Sequence, residues 1–194
     1  MGILSKLSKD NVKFFIFHFT FFTVYPDPTD HQTAVRVIRE AYEMGYNFFD
    51  TAEVYTGIYP DGTISYNEIL VGEALKDARQ HVVIATKMGV QHKEDRSLRL
   101  DSRPETIRSS VEESLRKLGT DYIDLYYQHR IDPKVEPETV AEVMSRLIRE
   151  GKIRSWGISE AMEEYLRRAN QVCPVTAIQN RYSMMARWHE NLFP

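Results

Sequence analysis

Five polar side chains stand at the ends of apolar stretches that recur along the chain. They are Asp50, Lys87, His129, Ser159 and Gln179. Each alone has an ordinary explanation, such as a capping aspartate, a solvated lysine or a hydrogen-bonded histidine. In a parallel β/α fold, however, all five positions lie on one face, where barrel enzymes carry their catalytic groups. Five in succession therefore predict an active site.

A metal site is the first alternative, because Asp50, His129 and His92 are all possible ligands. Lys87 in the middle of the set would repel a cation. The chain also has no His-x-x-x-His or Glu-bearing zinc motif. The sequence therefore predicts no metal.

The elements that must position these residues alternate strictly between strand and helix. Strand centres fall near residues 48, 84, 125, 156 and 177, and each gap contains one helix-periodic segment. The predicted helices span 29–44, 67–78, 104–118, 137–150 and 161–171. Asp30 and Ser102 are the predicted caps of the first and third helices. Strict alternation predicts a parallel sheet with right-handed crossovers.

Two architectures fit this alternation, a doubly wound open sheet and a barrel. No two glycines stand as Gly-x-Gly, so the phosphate-binding turn of a dinucleotide-binding open sheet is missing. The chain also has no phosphate-binding P-loop and no Gly-x-Ser-x-Gly. The polar strand ends favour the barrel.

Composition excludes several classes of protein. A hydrophobic content of 42% excludes disorder, and a net charge of −3, from 25 basic and 28 acidic residues, gives no general attraction to nucleic acid or to a membrane surface. Cys173 is the only cysteine, so a reducing, cytoplasmic compartment is the default. Nothing in the composition indicates an oligomeric state.

Residues 14–24 contain six of the nine phenylalanines and form the unusual part of the chain. The run is about half the ~20 residues that cross a bilayer, and His18 interrupts it. Its β-branched and aromatic residues favour a buried strand. A targeting remnant and a segment altered or wrongly joined to this domain remain alternatives.

Several ordered segments of the chain resemble the aldo-keto reductase family. They are Phe48-Phe49-Asp50-Thr51-Ala52-Glu53-Val54-Tyr55, Asn67-Glu68 with Val71-Gly72-Glu73-Ala74-Leu75, Ala85-Thr86-Lys87, the run from Asp121 to His129, Gly151-Lys152-Ile153-Arg154, Gly157 to Ala161, and Ile178-Gln179-Asn180. The resemblance implies a TIM (β/α)8-type barrel that reduces small-molecule carbonyls with NADPH. It implies Asp50, Tyr55, Lys87 and His129 as the catalytic tetrad, and Ser159 and Gln179 as contacts of the nicotinamide carboxamide.

These residue types suit carbonyl reduction, which needs a hydride on carbon and a proton on oxygen. By resemblance Tyr55 is the general acid, yet a free phenol titrates near pH ~10. A cation about 4 Å away is worth ~4 kcal/mol at an effective dielectric of 20, which lowers the pKa of the phenol. Lys87 would be that cation, Asp50 would hold it, and His129 would donate to the carbonyl oxygen.

The chain departs from the family at both ends. We divide it into an atypical Phe-rich segment, 1–28, and a partial aldo-keto reductase barrel, 29–194, with about six of eight βα units. Strands seven and eight of such barrels build the phosphate site, so we expect a truncated protein that binds NADPH weakly or not at all. A non-catalytic barrel fragment and a cofactor- or partner-binding accessory protein are the alternative functions. The loop after Tyr55, 56–66, is expected to be longer than usual.

Overall fold

The computed structural model describes residues 16–18 (backbone only), 30–95, 97–181 and 183–189. Ten strands occur among them: β1 (Ile16–His18), β2 (Phe48–Asp50), β3 (Thr56–Ile58), β4 (Ile64–Tyr66), β5 (Val83–Met88), β6 (Val90–His92), β7 (Leu98–Leu100), β8 (Ile123–Gln128), β9 (Ile153–Ser159) and β10 (Ala177–Gln179). The helices are α1 (His31–Glu43), α2 (Asn67–Leu75), α3 (Pro104–Leu118), α4 (Pro137–Arg149) and α5 (Glu163–Val172), with a 3-10 helix over Lys76–His81.

Six of the strands form one parallel sheet in the order β1-β2-β5-β8-β9-β10, and a helix lies between each pair of neighbouring strands in this order. This is the curled sheet of an incomplete α/β barrel, so the predicted fold class is confirmed. The strand predicted in the Phe-rich segment is confirmed at 16–18, where β1 pairs with β2. The rest of that segment and the predicted boundary after residue 28 lie outside the described residues.

Successive side chains of each strand point to opposite faces of the sheet, which divides the core into two layers. Phe49, Ile84, Tyr126 and Trp156 pack with the helices in the larger hydrophobic cluster. On the other face, a small cluster fills the inside of the curl and consists of Phe48, Ala85, Leu125 and Tyr127. The continuous apolar strands predicted from the sequence are therefore covered on both faces.

The helix caps follow local hydrogen bonding. The backbone amide of Thr33 donates to Asp30 Oδ1 at 3.0 Å, so the predicted cap of α1 is confirmed. The predicted Ser102 cap is wrong, because α3 begins at Pro104 after Arg103 and has no side-chain cap. The Ser102 hydroxyl instead accepts from Gln128 Nε2 at 3.2 Å, and this contact ties it to the end of β8.

Two antiparallel hairpins, β3–β4 and β6–β7, are inserted after β2 and β5. The long loop expected over 56–66 contains the first of them. Its turn carries Gly62, which has a left-handed φ of 83°, and the Asp61 carboxylate accepts from the Thr63 amide at 2.9 Å. A glycine and an aspartate adopt this turn conformation at little cost.

Helix α2 lies against the end of α3 at Gly72, where a Cβ atom would come within 2.4 Å of the carbonyl oxygen of Leu118. An exposed Gly→Ala change within a helix normally stabilises a protein by about 1 kcal/mol. We predict the opposite for Gly72→Ala, a loss of about 1–3 kcal/mol of unfolding free energy, because backbone atoms must move apart. Urea unfolding of this variant beside Glu73→Ala, an exposed neighbour expected to change stability by about 0.5 kcal/mol or less, measures the effect. A stabilised Gly72→Ala protein would contradict the close packing.

Candidate active site

The site is built around a buried ion pair at the carboxyl ends of β2 and β5. Lys87 Nζ donates to Asp50 Oδ2 at 2.8 Å and to the carbonyl oxygen of Thr51 at 2.7 Å, and both charged side chains are fully buried. Burial lowers the pKa of the Lys87 ammonium, and the Asp50 carboxylate opposes this lowering. The strand register places Asp50 beside Ala85, so Lys87 lies two residues beyond it and reaches back across the sheet edge.

Tyr55 lies over this pair on the loop that follows β2. Its amide donates to the carbonyl oxygen of Ala52 at 3.0 Å, and its own carbonyl oxygen accepts from the amide of Asn67 at 3.0 Å. The loop is thereby held at its base and at the start of α2. Lys87 Nζ is 5.0 Å from the centre of the Tyr55 ring, so the ammonium and the aromatic side chain are direct neighbours.

His129 follows β8 directly and completes the group. Its amide donates to the carbonyl oxygen of Met88 at 2.9 Å, and its side chain is largely buried. The His129 and Tyr55 rings meet edge to face, with their centres 5.7 Å apart and an interplanar angle of 86°. The structure thus brings the imidazole, the phenol ring and the buried ammonium together at one end of the sheet.

Gln179 connects the last strand to the ion pair. Its Nε2 donates to Asp50 Oδ2 at 3.0 Å, although β10 and β2 are separated in the sheet by three strands. At about 4.8 Å per strand, a flat sheet would put these strands roughly 19 Å apart, too far for two side chains to bridge. The contact therefore exists because the sheet curls, which is the geometry of a barrel.

Ser159 occupies the end of β9 next to Gln179. Its hydroxyl donates to the carbonyl oxygen of Gln179 at 3.0 Å and accepts from Arg130 Nη1 at 3.0 Å. All six residues predicted from the sequence, Asp50, Tyr55, Lys87, His129, Ser159 and Gln179, consequently lie in one connected neighbourhood.

A groove of about 430 Å³ opens above these groups. Its lining contains four of the predicted residues and four further ones: Tyr55, His129, Arg130, Ser159, Glu160, Gln179, Asn180 and Arg181. Arg130 and Glu160 directly follow two predicted residues, so adjacency to a strand end was the available signal for them.

Glu160 is a strained position in the groove wall. Its φ of 57° lies in the left-handed region, which non-glycine residues adopt rarely and mostly where surrounding contacts impose it. Its carboxylate accepts from the amide of Arg181 at 2.6 Å, and His189 Nε2 lies 3.3 Å from its other oxygen. These contacts hold the segment after β10 against the groove.

Two negative findings apply to the part of the chain that the structure describes. No group of three or more His, Cys, Asp or Glu side chains is placed to hold a metal ion. No helix in this part has the length and apolar composition that a membrane span requires.

The ion pair generates a prediction about stability. Asp50→Leu leaves the Lys87 ammonium buried without its counter-charge, and we expect a loss of about 3–5 kcal/mol of unfolding free energy. The double variant Asp50→Leu/Lys87→Met replaces the pair by apolar groups of similar size and is expected to recover most of that loss. Urea unfolding of the wild type and both variants measures this. A double variant less stable than Asp50→Leu would contradict the buried pair.

Comparison with known proteins places this geometry in a family. The family model described as "Aldo/keto reductase family" matches residues 5–194. "Probable aldo-keto reductase 1" of Glycine max is 40% identical over 164 residues, which are 84% of this chain and 45% of that protein.

Solved structures agree with this match. An aldo-keto reductase from Bacillus halodurans in its holo form superposes with a TM-score of 0.76 and 33% identity, over 92% of this chain and 56% of that one. An aldo/keto reductase from Klebsiella pneumoniae, in complex with NADP and acetate, has a TM-score of 0.66 and 29% identity, over 82% of this chain and 52% of that one. The chain therefore spans about half the length of these relatives, and it belongs to the aldo-keto reductase family.

Proposed function

We propose that this chain carries the catalytic groups of an NADPH-dependent oxidoreductase that reduces aldehydes or ketones to alcohols. The observation that carries the proposal is the placement of Lys87. Its ammonium is buried between the Asp50 carboxylate and the Thr51 carbonyl oxygen and faces the ring of Tyr55. A cation fixed beside a phenol favours the ionised phenol, which is the product left when a phenol has given up its proton.

Tyr55 is the proton donor in this proposal, and two neighbouring tyrosines are not suited to that role. Burial raises the pKa of Tyr126 well above its ordinary value. Burial and the nearby Asp50 carboxylate raise the pKa of Tyr127 above its ordinary value as well. Both phenols are thus held neutral within the sheet. Tyr55 instead lines the groove and lies next to a cation.

His129 and Asp50 have supporting roles. The His129 imidazole lies at the groove wall beside the Tyr55 ring, where an N–H group can donate to a carbonyl oxygen as negative charge develops on it. Asp50 holds the Lys87 ammonium in place and offsets the free-energy cost of burying it.

The groove residues fit the carboxamide end of NADPH. A carboxamide offers two N–H donors and an acceptor oxygen, and the Ser159 hydroxyl and the Gln179 amide supply both kinds of partner. The Klebsiella relative is described in complex with NADP, which supports the same cofactor here. NADPH, when bound, supplies the hydride. Ser159 and Gln179 would orient the carboxamide, and Tyr55 would donate the proton.

We predict that Tyr55→Phe lowers kcat for carbonyl reduction by about 10²- to 10⁴-fold, the usual contribution of a positioned acid. NADPH consumption by the purified chain is followed with a panel of small aldehydes and ketones. Tyr59→Phe, in the turn of the first hairpin, is the matched control and is expected to retain the wild-type rate.

Equal rates for the wild type and Tyr55→Phe would remove Tyr55 as the acid. A wild-type chain that binds NADPH and turns over no carbonyl would favour the accessory-protein function. A chain that neither binds nor reacts would favour a non-catalytic fragment.

A second prediction concerns the cofactor. We expect Ser159→Ala to weaken NADPH binding by roughly 3- to 10-fold, because one neutral hydrogen bond contributes about 0.5–1.5 kcal/mol. Ser155→Ala is the control, since Ser155 lies on the same strand and its hydroxyl donates to the carbonyl oxygen of Asp124. Titration of NADPH fluorescence with each protein measures the affinity. Equal losses in both variants would mean that Ser159 does not contact the cofactor.

A further inference from the structure

A partly buried carboxylate outside the tetrad connects the two segments that carry Tyr55 and Lys87. Glu53 lies two residues before Tyr55, and its amide donates to the carbonyl oxygen of Lys87 at 3.1 Å. Its side chain reaches further along the neighbouring strand, where Oε1 accepts from the amide of Gly89 at 2.8 Å. Main chain and side chain of one residue thus hold the backbone on both sides of Met88.

Gly89 has a backbone conformation and surroundings that disfavour a residue with a side chain. Its φ of 93° is left-handed, and a Cβ atom there would lie 3.1 Å from Ser102 Oγ. The carbonyl oxygen of Gly89 accepts from the amide of Asp101 at 3.1 Å, so the turn is held on one side by the segment before α3. The Glu53 carboxylate holds it on the other side.

The surroundings of Glu53 combine charges from several elements. Burial raises the pKa of Glu53 to about 7, and the Glu68 carboxylate of α2 acts in the same direction. The Ser110 hydroxyl, the Gly89 amide and the Lys117 ammonium oppose this shift.

The remaining ionisable neighbours lie around the same space. A cavity of about 480 Å³ between the first hairpin and α3 is lined by Glu53, Tyr66 of β4, His92 of β6, and Glu113 and Lys117 of α3. The Tyr126 phenol of β8 also interacts with the Glu53 charge, and burial keeps that phenol neutral.

We propose that Glu53 is a positioning residue: its carboxylate joins the loop of Tyr55 to the turn after Lys87 and so fixes the place of the Tyr55 ring over the ammonium. The part of this proposal that concerns catalysis rests on the proposed reductase function. The contact between the Glu53 carboxylate and the Gly89 amide is a property of the folded chain, and it is testable without cofactor or substrate.

Two substitutions at Glu53 distinguish loss of its hydrogen bond to Gly89 from loss of its negative charge. Glu53→Gln keeps an oxygen that accepts from the Gly89 amide and removes the titration. Glu53→Leu removes the acceptor altogether. Glu94→Gln, in the turn of the second hairpin, is the control for removing an exposed carboxylate.

The Gly89 amide reports on the contact directly by NMR. In the wild type its proton shift is expected to titrate with a midpoint near pH 7, as the carboxylate that accepts its hydrogen bond ionises. The same titration is expected in Glu94→Gln. In Glu53→Gln the signal is expected to stay at a hydrogen-bonded shift and to be independent of pH. A Gly89 amide that titrates equally in Glu53→Gln would overturn the assignment of the contact.

Stability gives a second readout with a defined sign. A carboxyl whose pKa is raised by folding stabilises the folded state below its unfolded pKa, and this contribution is lost as pH rises through the folded value. The thermal midpoint of the wild type is therefore expected to fall relative to that of Glu53→Gln between about pH 4.5 and about pH 7. Parallel curves for the two proteins would contradict a buried, ionising Glu53.

Two measurements test the positioning role: the NMR shifts of the His129 ring and kcat for carbonyl reduction. The edge-to-face contact makes the His129 ring shifts sensitive to where Tyr55 lies, and we expect them to change in Glu53→Leu and to persist in Glu53→Gln. If the wild type reduces carbonyls, kcat is expected to fall at least ~10-fold in Glu53→Leu and less than ~3-fold in Glu53→Gln, with KM little changed.

Unchanged ring shifts in a folded Glu53→Leu protein would overturn the positioning role. An inactive wild type would count against the proposed function alone. The Gly89 amide titration and the His129 ring shifts would still decide whether Glu53 makes this contact and positions Tyr55. If Glu53→Leu does not fold, the Glu53→Gln titration and its stability curve keep the proposal falsifiable.

Discussion

Burying the Lys87 ammonium is the constraint on which the rest of the site depends. Removing one such ion from water costs several kcal/mol, so every polar contact to it must be in place when the chain folds. Asp50 and the Thr51 carbonyl oxygen supply those contacts at 2.8 and 2.7 Å, and both come from the end of β2. Because Gln179 donates to the same Asp50 oxygen, the last strand is also drawn toward the pair.

Apolar packing therefore stabilises the outer face of the sheet, and polar contacts hold the carboxyl ends of its strands together. The helices pack on the outer face of the sheet through large side chains and close approaches such as the one at Gly72. The carboxyl ends of the strands hold the buried Asp50–Lys87 pair, the groove and the strained Glu160. Strain and buried charge destabilise a protein, and both Glu160 and the Asp50–Lys87 pair lie at the end where chemistry is proposed.

Much of this arrangement was predictable from the sequence, because strand alternation and the positions of polar strand ends are local signals. The parallel order followed from the alternation, and five site residues followed from their place after apolar runs. Tyr55, on the loop after β2, was indicated only by the resemblance to the family. The Ser102 cap failed because Gln128, distant in sequence, takes the Ser102 hydroxyl. The Gln179–Asp50 contact depends on the curl of the sheet, and the Glu53–Gly89 contact on a backbone turn. No local pattern encodes either one.

The central claim is that the buried Lys87 ammonium favours ionisation of Tyr55. It is tested most directly by titrating the Tyr55 phenol through near-ultraviolet absorbance, as the difference between the wild type and Tyr55→Phe. The account predicts that Tyr55 ionises below the ordinary value of ~10 in the wild type, and that its midpoint returns toward ~10 in the background of Asp50→Leu/Lys87→Met. A Tyr55 midpoint that is the same in both backgrounds would contradict it.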